Sequence, residues 1–415
     1  MDQWKIKASL FLNYFVFAIL LNSVGTVILQ VQTSFGVTEG SASVLEAFKD
    51  LSIAIASFFI SGYIIKIGYK RAMQLAIGAI MIICFLVPFI ADFLVVKLLF
   101  AAIGISFAFI KMSVYGTIGL ITKNEKEHIS LMNFLESFFM VGILAGYFIF
   151  SLFVDENDPA SRSWLNVYFV LGALCLIAFI LLGSAKLNDR SLEGERQHSF
   201  VQEFGEMFSL MVKPLVLVFI FSAFFYVLIE QSIMSWLPTF NSKVLHLPNF
   251  LSIEMASILA ASTAVGRFLA GLVLKKVSWF PTLVVCLLLA ASLVILAIPM
   301  AQTVKDQIVT GWVDAPLAAF IFPLIGLFLA PVYPAINSVV LSSLPVQKHG
   351  IMSGLIIIFS ALGGTTGSII TGNIFQYYGG ENAFYFSLIP ITILIICLSL
   401  FKRMTVRSKI EVGKI

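Results

Sequence analysis

The sequence predicts an all-α integral membrane protein with twelve transmembrane helices in two six-helix halves. Three observations carry this expectation: the composition, the spacing of long uncharged runs, and the segregation of basic residues. Of 415 residues, 60% are hydrophobic, 12% are charged and 40 are Phe, whereas soluble proteins average about 45–50% apolar and 25% charged. Mean hydropathy is +1.01. A soluble globule of this composition leaves large apolar patches in water. A soluble enzyme, a nucleic-acid binder and a disordered chain are thereby excluded. The net charge of +4, from 26 basic and 22 acidic residues, needs no nucleic-acid partner, because the distribution of the basic residues explains it.

A helix crosses the roughly 30 Å hydrocarbon layer with about 20 mostly apolar residues. The first such run, 8–31, follows Lys5 and Lys7. It lies within the uncharged stretch Ala8 to Thr38, far longer than the 7–15-residue core of a signal peptide, so it is a retained span. The second, 47–66, ends at Lys66, and the third, 72–91, begins after Lys70 and Arg71. The fourth, 98–122, lies between Lys97 and Lys123 with one internal charge, Lys111. The fifth, 129–153, ends before Asp155, Glu156 and Asp158; the sixth, 164–185, stops at Lys186. After a polar interval come 214–238, 253–274, 280–300, 316–342, 350–374 and 382–401, the last closed by Lys402 and Arg403. The chain thus divides into an N-terminal bundle (1–185), a cytoplasmic linker (186–213), partly an amphipathic helix, and a C-terminal bundle (214–415) with a short tail.

With the N-terminus inside, nineteen Lys and Arg fall in cytoplasmic segments, five in outer segments (Lys49 among them) and two, Lys111 and Arg267, inside spans. The positive-inside rule therefore puts both termini in the cytoplasm of a multi-pass protein of the inner or plasma membrane. Two repeated halves related about the membrane normal bind substrate near the midplane and alternate access by rocking. Corresponding features are expected in both halves. Between the second and third spans stands Gly62-Tyr-Ile-Ile-Lys66-Ile-Gly68-Tyr69-Lys70-Arg71; between the eighth and ninth stands Gly266-Arg267-Phe268-Leu-Ala-Gly271-Leu-Val-Leu-Lys275-Lys276. Small residues let helices approach closely, and basic residues cap helix C-termini. Gly62, Gly68, Lys70, Arg71, Gly266, Arg267 and Gly271 are the expected gate and structural residues.

These features resemble the major facilitator superfamily. The loop after the second span is similar to that superfamily's signature, with Ile65 and Lys66 where an acid usually stands and the spacing one residue short. A closer resemblance is to the fucose–galactose–glucose proton symporter branch and related uncharacterised bacterial permeases. It is carried by Tyr226-Val-Leu-Ile-Glu230-Gln231-Ser-Ile-Met-Ser-Trp236-Leu-Pro238, Gly266-Arg267-Phe268, Val332-Tyr333-Pro334-Ala-Ile-Asn337-Ser338 and His128-Ile-Ser-Leu-Met-Asn133-Phe-Leu-Glu136. The resemblance implies the twelve-helix facilitator fold and sugar–proton symport. The branch's acids in the first and fourth spans are replaced here by Gly25 and Phe109, so that carboxylate and its substrate contacts do not carry over.

Ionisable groups deep in a span cost roughly 2.5–3.5 kcal/mol each and usually face a cavity. Lys111 and Glu136 form either a breakable pair coupled to substrate or proton, or a permanent bridge between neighbouring helices. A buried lysine tends to lose its proton and a buried glutamate to gain one, as a proton relay requires. Glu230, one turn after Tyr226 and beside Gln231, is a second expected proton or substrate group. Arg267 is read mainly as a bond between cytoplasmic helix ends, Glu46 and Asp50 as exposed charges at an outer helix start, and Trp236 and Pro238 as an interface anchor and helix end. Amide and phenol groups suit hydroxyl-rich solutes, or glue helices together. The expected substrate contacts are Asn22, Lys111, Asn133, Tyr226, Gln231, Tyr333 and Asn337. Gly354, Gly363, Gly364 and Gly367 are expected to allow close packing and bending in the eleventh span.

Cys84, Cys175, Cys286 and Cys397 each lie in an apolar run, which argues against a disulfide framework or metal site. No Walker motif occurs, so ATP is not the direct energy source. No cofactor, no metal and no catalytic residue is expected. The expected partners are a small-molecule substrate, a proton or sodium ion, and the lipid bilayer, with the protein a monomer. The expected function is proton-coupled uptake of a small polar solute, a sugar or related compound. The alternatives are a proton-driven exporter of a drug, metabolite, siderophore or other organic anion, and a non-transporting membrane sensor.

Overall fold

Backbone amides inside a bilayer have no water to bond, so long apolar runs close their hydrogen bonds within themselves as helices. A computed structural model of the chain describes residues 2–60, 64–122, 125–185, 187, 200–302, 309–342 and 349–412. Its elements among these residues are helical. In chain order they begin with α1 (Asp2–Asn22), α2 (Val24–Phe35), α3 (Glu39–Ala42), α4 (Val44–Ile60), α5 (Ile64–Ile67), α6 (Tyr69–Ile90), α7 (Phe93–Ile121), α8 (Glu125–Ser151) and α9 (Val167–Ser184). There follow α10 (Phe200–Met211), α11 (Pro214–Met234), α12 (Leu237–Lys243), α13 (Asn249–Val273), α14 (Trp279–Gln302), α15 (Leu317–Ile321), α16 (Ile325–Leu329), α17 (Val332–Ser342), α18 (His349–Tyr378), α19 (Gly380–Tyr385) and α20 (Leu388–Val412).

Among the described residues, eleven helices are long and apolar enough to cross a membrane. The run expected at 47–66 appears as α4 and α5, separated by residues outside the described set, and α4 has 17 residues. In the expected linker, α10 is the amphipathic helix; most of the remainder, and Gly62 of the first gate motif, lie outside the described residues.

The chain forms two compact units, Met1–Val37 with Val44–His198, and Thr38–Ser43 with Ser199–Ile415. In the first, α1 packs on α8 and α9, α4 on α7, and α6 on α7 and α9. The outward face of α6 carries Leu75, Ile82 and Phe89, exposed, while Ala76, Ile80, Cys84 and Val87 are buried. Both faces are apolar, as lipid contact requires. Hydroxyl and amide side chains inside the bundle bond carbonyls of their own helix: Asn13 Nδ2 donates to Ser9 O (2.7 Å) and Asn22 Nδ2 to Ala18 O (2.9 Å).

In the second unit α11 packs against α18 and α20. Close approach of α11 and α18 needs glycine. A Cβ on Gly363 would stand 2.3 Å from Phe224 O, and one on Gly367 2.4 Å from Leu228 O. The expected packing role of these glycines is met; Gly354, by contrast, opens onto empty space. Trp236, expected as an interface anchor, is instead a fully buried core residue. Its indole stacks on Phe375 (5.1 Å between centroids) and its Nε1–H donates to Ser368 Oγ at 3.1 Å. An indole whose one donor is satisfied loses nothing by full burial.

The outer-helix charges are a second correction. Glu46 and Asp50 on α4 are buried, not exposed, and so is Lys49 between them. Lys49 Nζ bonds Glu46 Oε1 directly and stands 3.5 Å from Asp50 Oδ1. The i, i+3, i+4 spacing puts all three on one helical face, and Gly104 of α7 lets the α4 backbone approach: a Cβ there would lie 2.3 Å from Lys49 O. Burial of a two-acid, one-base cluster is tolerated only while its charges stay paired. Lys49→Met is therefore expected to destabilise the first unit by about 3–5 kcal/mol, read as a fall in melting temperature of the detergent-purified protein. An unchanged melting temperature contradicts the buried pairing.

Candidate functional site

Two polar clusters form inside the helical bundles, one in each unit. In the first unit, Phe107, Lys111 and Tyr115 follow at four-residue intervals along α7 and so share a face. Tyr14 of α1 and Glu136 with Phe139 of α8 meet that face. Tyr115 donates to Glu136 Oε1 at 2.7 Å and Tyr14 to the same oxygen at 3.4 Å. Among the described residues nothing bonds the other carboxylate oxygen, Oε2, and the side chain is exposed. The phenols are held by aromatic packing: Tyr14 lies 6.4 Å from both Tyr115 and Phe107 and 5.1 Å from Phe139, centroid to centroid.

Lys111 is half-buried. Its Nζ stands 5.8 Å from the Phe107 centroid and 5.9 Å from that of Tyr115, at the edge of cation–π range. Among the described residues it makes no hydrogen bond and no ion pair within 4.0 Å. Glu136 is near enough for its charge to be felt, but the permanent bridge that the sequence left open is not formed. The carboxylate is held by tyrosines and the ammonium is left for something else.

In the second unit, Tyr226 and Glu230 are one turn apart on α11, and the phenol donates to Glu230 Oε1 at 2.9 Å. Tyr226 stacks on Tyr333 of α17, with centroids 5.4 Å apart and planes at 23°. The Tyr333 hydroxyl is 2.9 Å from Ser360 Oγ of α18. One turn on, Asn337 has its Oδ1 buried with no hydrogen-bond partner. Arg267, exposed on α13, is within electrostatic range of the Tyr226 phenol. Tyr226, Glu230, Tyr333 and Asn337, all anticipated from sequence, thus converge. Gln231 turns instead to Ser235, whose hydroxyl donates to its Oε1 at 3.1 Å.

The other expected residues separate. Asn22 is occupied by its own helix backbone, and the Asn133 side chain lies outside the described residues. Lys70 Nζ donates to Gly183 O (3.0 Å) and Ala185 O (2.6 Å), capping the C-terminus of α9. Gly68 starts α6 with φ +84°, a backbone angle suited to glycine. Arg71 is exposed. Gly266 lies flat against α16, where a Cβ would meet Leu327 O at 2.3 Å, whereas Gly271 has open space at that position and serves no close packing.

Tyr14, Tyr115 and Ser360 were not singled out from the sequence. Their signal is positional: Tyr14 comes twelve residues after the start of α1 and Tyr226 twelve after the start of α11. Glu136 and Ser360 each come eleven residues after the start of α8 and α18. Each half thus sets a first-helix tyrosine and a fourth-helix tyrosine beside a polar group of its fifth helix. Among the described residues, no three His, Cys, Asp or Glu side chains gather as a metal site.

Apolar helices in two units, with lipid-type outer faces and charged groups held inside, define a multi-pass membrane protein with the fold of a transporter. The model of the Major Facilitator Superfamily matches residues 10–365, and the chain belongs to that superfamily. It is 22% identical over 410 residues to a "Protein TsgA homolog" of Buchnera aphidicola subsp. Baizongia pistaciae (strain Bp), with 95% of each chain covered. Its fold is similar to that of a variant of the nucleoside transporter NupG (TM-score 0.74, 13% identity, 96% of this chain and 99% of that one). It is also similar to a variant of the E. coli fucose:proton symporter FucP (TM-score 0.61, 15% identity, 97% and 99%).

The packing at Gly266 yields a test. Gly266→Val forces α13 away from α16 and is expected to lower the melting temperature by several degrees, whereas Gly271→Val leaves it within one degree or so, since surface changes of this kind usually cost under about 0.5 kcal/mol. Equal effects contradict the assignment of Gly266 alone to the helix contact.

Proposed function

We propose that this protein is a proton-coupled secondary active transporter of the cell (inner or plasma) membrane, importing a small polar solute, sugar-like in chemistry, by alternating access. One observation carries the reading: the Glu136 carboxylate, within a membrane-spanning bundle, has one oxygen bonded by two phenols and the other open. A proton arriving at Oε2 turns that oxygen from acceptor to donor while the phenols hold the group in place. This is the behaviour needed to link proton binding to solute binding. Glu136 and Glu230 are the proton carriers, and Lys111 sets the local charge. Tyr226, Tyr333 and Asn337 are the solute contacts best placed for the task, with Asn22, Asn133 and Gln231 as further candidates. The nucleoside transporter and the fucose:proton symporter that share this fold support a hydroxyl-bearing solute.

The test is reconstitution into proteoliposomes with an imposed inward proton gradient and a panel of labelled hexoses, fucose and nucleosides. Gradient-driven uptake is expected for at least one of them. Glu136→Gln is expected to lower it by at least tenfold, while solute exchange without a gradient persists. Uptake that is gradient-driven and unchanged in Glu136→Gln rejects Glu136 as the carrier.

Lys111 favours a second reading, an exporter of organic anions. An ammonium with no ion pair among the described residues is a ready counter-charge for a carboxylate or phosphate. A charged hydrogen bond contributes about 1.5–3 kcal/mol, so Lys111→Gln is expected to weaken binding of an anionic solute by roughly tenfold or more. Lys111→Arg retains most of the affinity, and neutral solutes are unaffected. Thermal stabilisation by organic acids measures this; equal stabilisation of the wild type and Lys111→Gln contradicts the reading.

A further inference from the structure

Outside both polar clusters, the second unit carries a groove of about 370 Å³ between α13, α14 and α16, lined almost wholly by apolar groups. Gly266 and Ala270 form its floor; Leu269, Val273 and Val285 stand along it, each 43–53% exposed. Such a surface suits acyl chains. The end of the groove is different in chemistry. Val273 and Val277 both line it, and the turn between them carries Lys275 and Lys276. That turn is closed by the amides of Lys276 and Val277, both bonding Val273 O at 2.9 Å. Both lysines are exposed, and among the described residues neither ammonium has a hydrogen-bond or ion-pair partner.

The same end bears the marks of a membrane interface. Trp279 opens α14 and packs edge-on against Phe401 at 6.0 Å, and Lys402 lies 4.3 Å over the Phe280 ring. Tryptophan and lysine gather where acyl chains give way to headgroups. An apolar trough whose lining residues Val273 and Val277 bracket a turn with two exposed lysines matches one kind of molecule, in both halves of its structure. Basic pockets between spanning helices bind anionic lipid headgroups.

The geometry points to a site for an anionic phospholipid, with one acyl chain in the groove between α13, α14 and α16 and the headgroup phosphate on Lys275 and Lys276. The site is separate from Glu136, Glu230 and Lys111, and it stands whether the solute is neutral or anionic. A zwitterionic lipid offers the same chain to the trough but lacks the net charge that the lysines select, so it occupies the trough less.

Native mass spectrometry of the full chain, released from nanodiscs of equal phosphatidylglycerol and phosphatidylcholine, tests the assignment. One phosphatidylglycerol is expected to be retained over phosphatidylcholine by about tenfold. Lys275→Ala with Lys276→Ala should abolish that preference. Val285→Trp, which fills the trough and keeps the lysines, should abolish retention of either lipid. Equal retention of the two lipids by the wild type, or an undiminished preference in the lysine double variant, overturns the site. Cys286, which also lines the groove, gives a readout without mutation. Its alkylation by N-ethylmaleimide, quantified by peptide mass spectrometry, is expected to slow severalfold in phosphatidylglycerol relative to phosphatidylcholine. Equal rates overturn the proposal even if a variant fails to fold.

Discussion

A polar group surrounded by lipid must find its partner within the protein, and this constraint shapes the placement of polar side chains among the described residues. Several Ser, Thr and Asn groups along the spans meet it locally, by bonding the carbonyl one turn back. Asn13, Asn22, Ser222 and Thr263 all do so. Groups that cannot be satisfied on their own helix have to be gathered with others. The Glu46–Lys49–Asp50 cluster is one such gathering, with one ammonium set between two carboxyl groups. The tyrosine–carboxylate clusters are two more.

These clusters differ in how far their members are bonded. Lys49 is matched to the two acids beside it, and its cluster is buried beneath α7. Among the described residues Glu136 has two phenols on one oxygen and none on the second, while Lys111 has two aromatic rings at 5.8 and 5.9 Å and no ion partner. Asn337 Oδ1 is buried and unbonded beside the Tyr226–Tyr333 stack. Leaving a buried group such as Asn337 Oδ1 unsatisfied costs about 1–3 kcal/mol, which a solute that bonds it would recover. The clusters are built on paired tyrosines because phenol combines an apolar ring, which packs in the bundle, with a hydroxyl that reaches the acid.

Much of the fold was legible in the sequence because lipid selects for length and apolarity, which a linear reading detects directly. The helical class and most spans follow from runs of uncharged residues, and the glycines of α18 were recognisable as packing points. Within the site, the i, i+4 pair Tyr226–Glu230 and the isolated charges Lys111 and Glu136 stood out against an apolar background. Three features were not legible. The acids of α4 looked exposed because they begin a helix, and only the approach of α7 over Gly104 buries them. Trp236 looked like an interface anchor because it stands near a helix end, and only the arrival of α18 encloses it. Tyr14, Tyr115 and Ser360 are ordinary residues in sequence; they matter through partners 122, 21 and 27 positions away. Pairing across helices is a property of packing, which local periodicity does not encode.

Proton-coupled transport as proposed requires the Glu136 carboxyl to accept a proton inside the bundle. A hydrophobic carbodiimide modifies carboxyl groups in apolar surroundings only while they are protonated. Peptide mass spectrometry of the reconstituted protein after such treatment reads Glu136 directly. Labelling at Glu136 is expected to exceed that at the buried, lysine-paired Glu46. A Glu136 peptide left unmodified, or modified no more than that of Glu46, overturns the assignment.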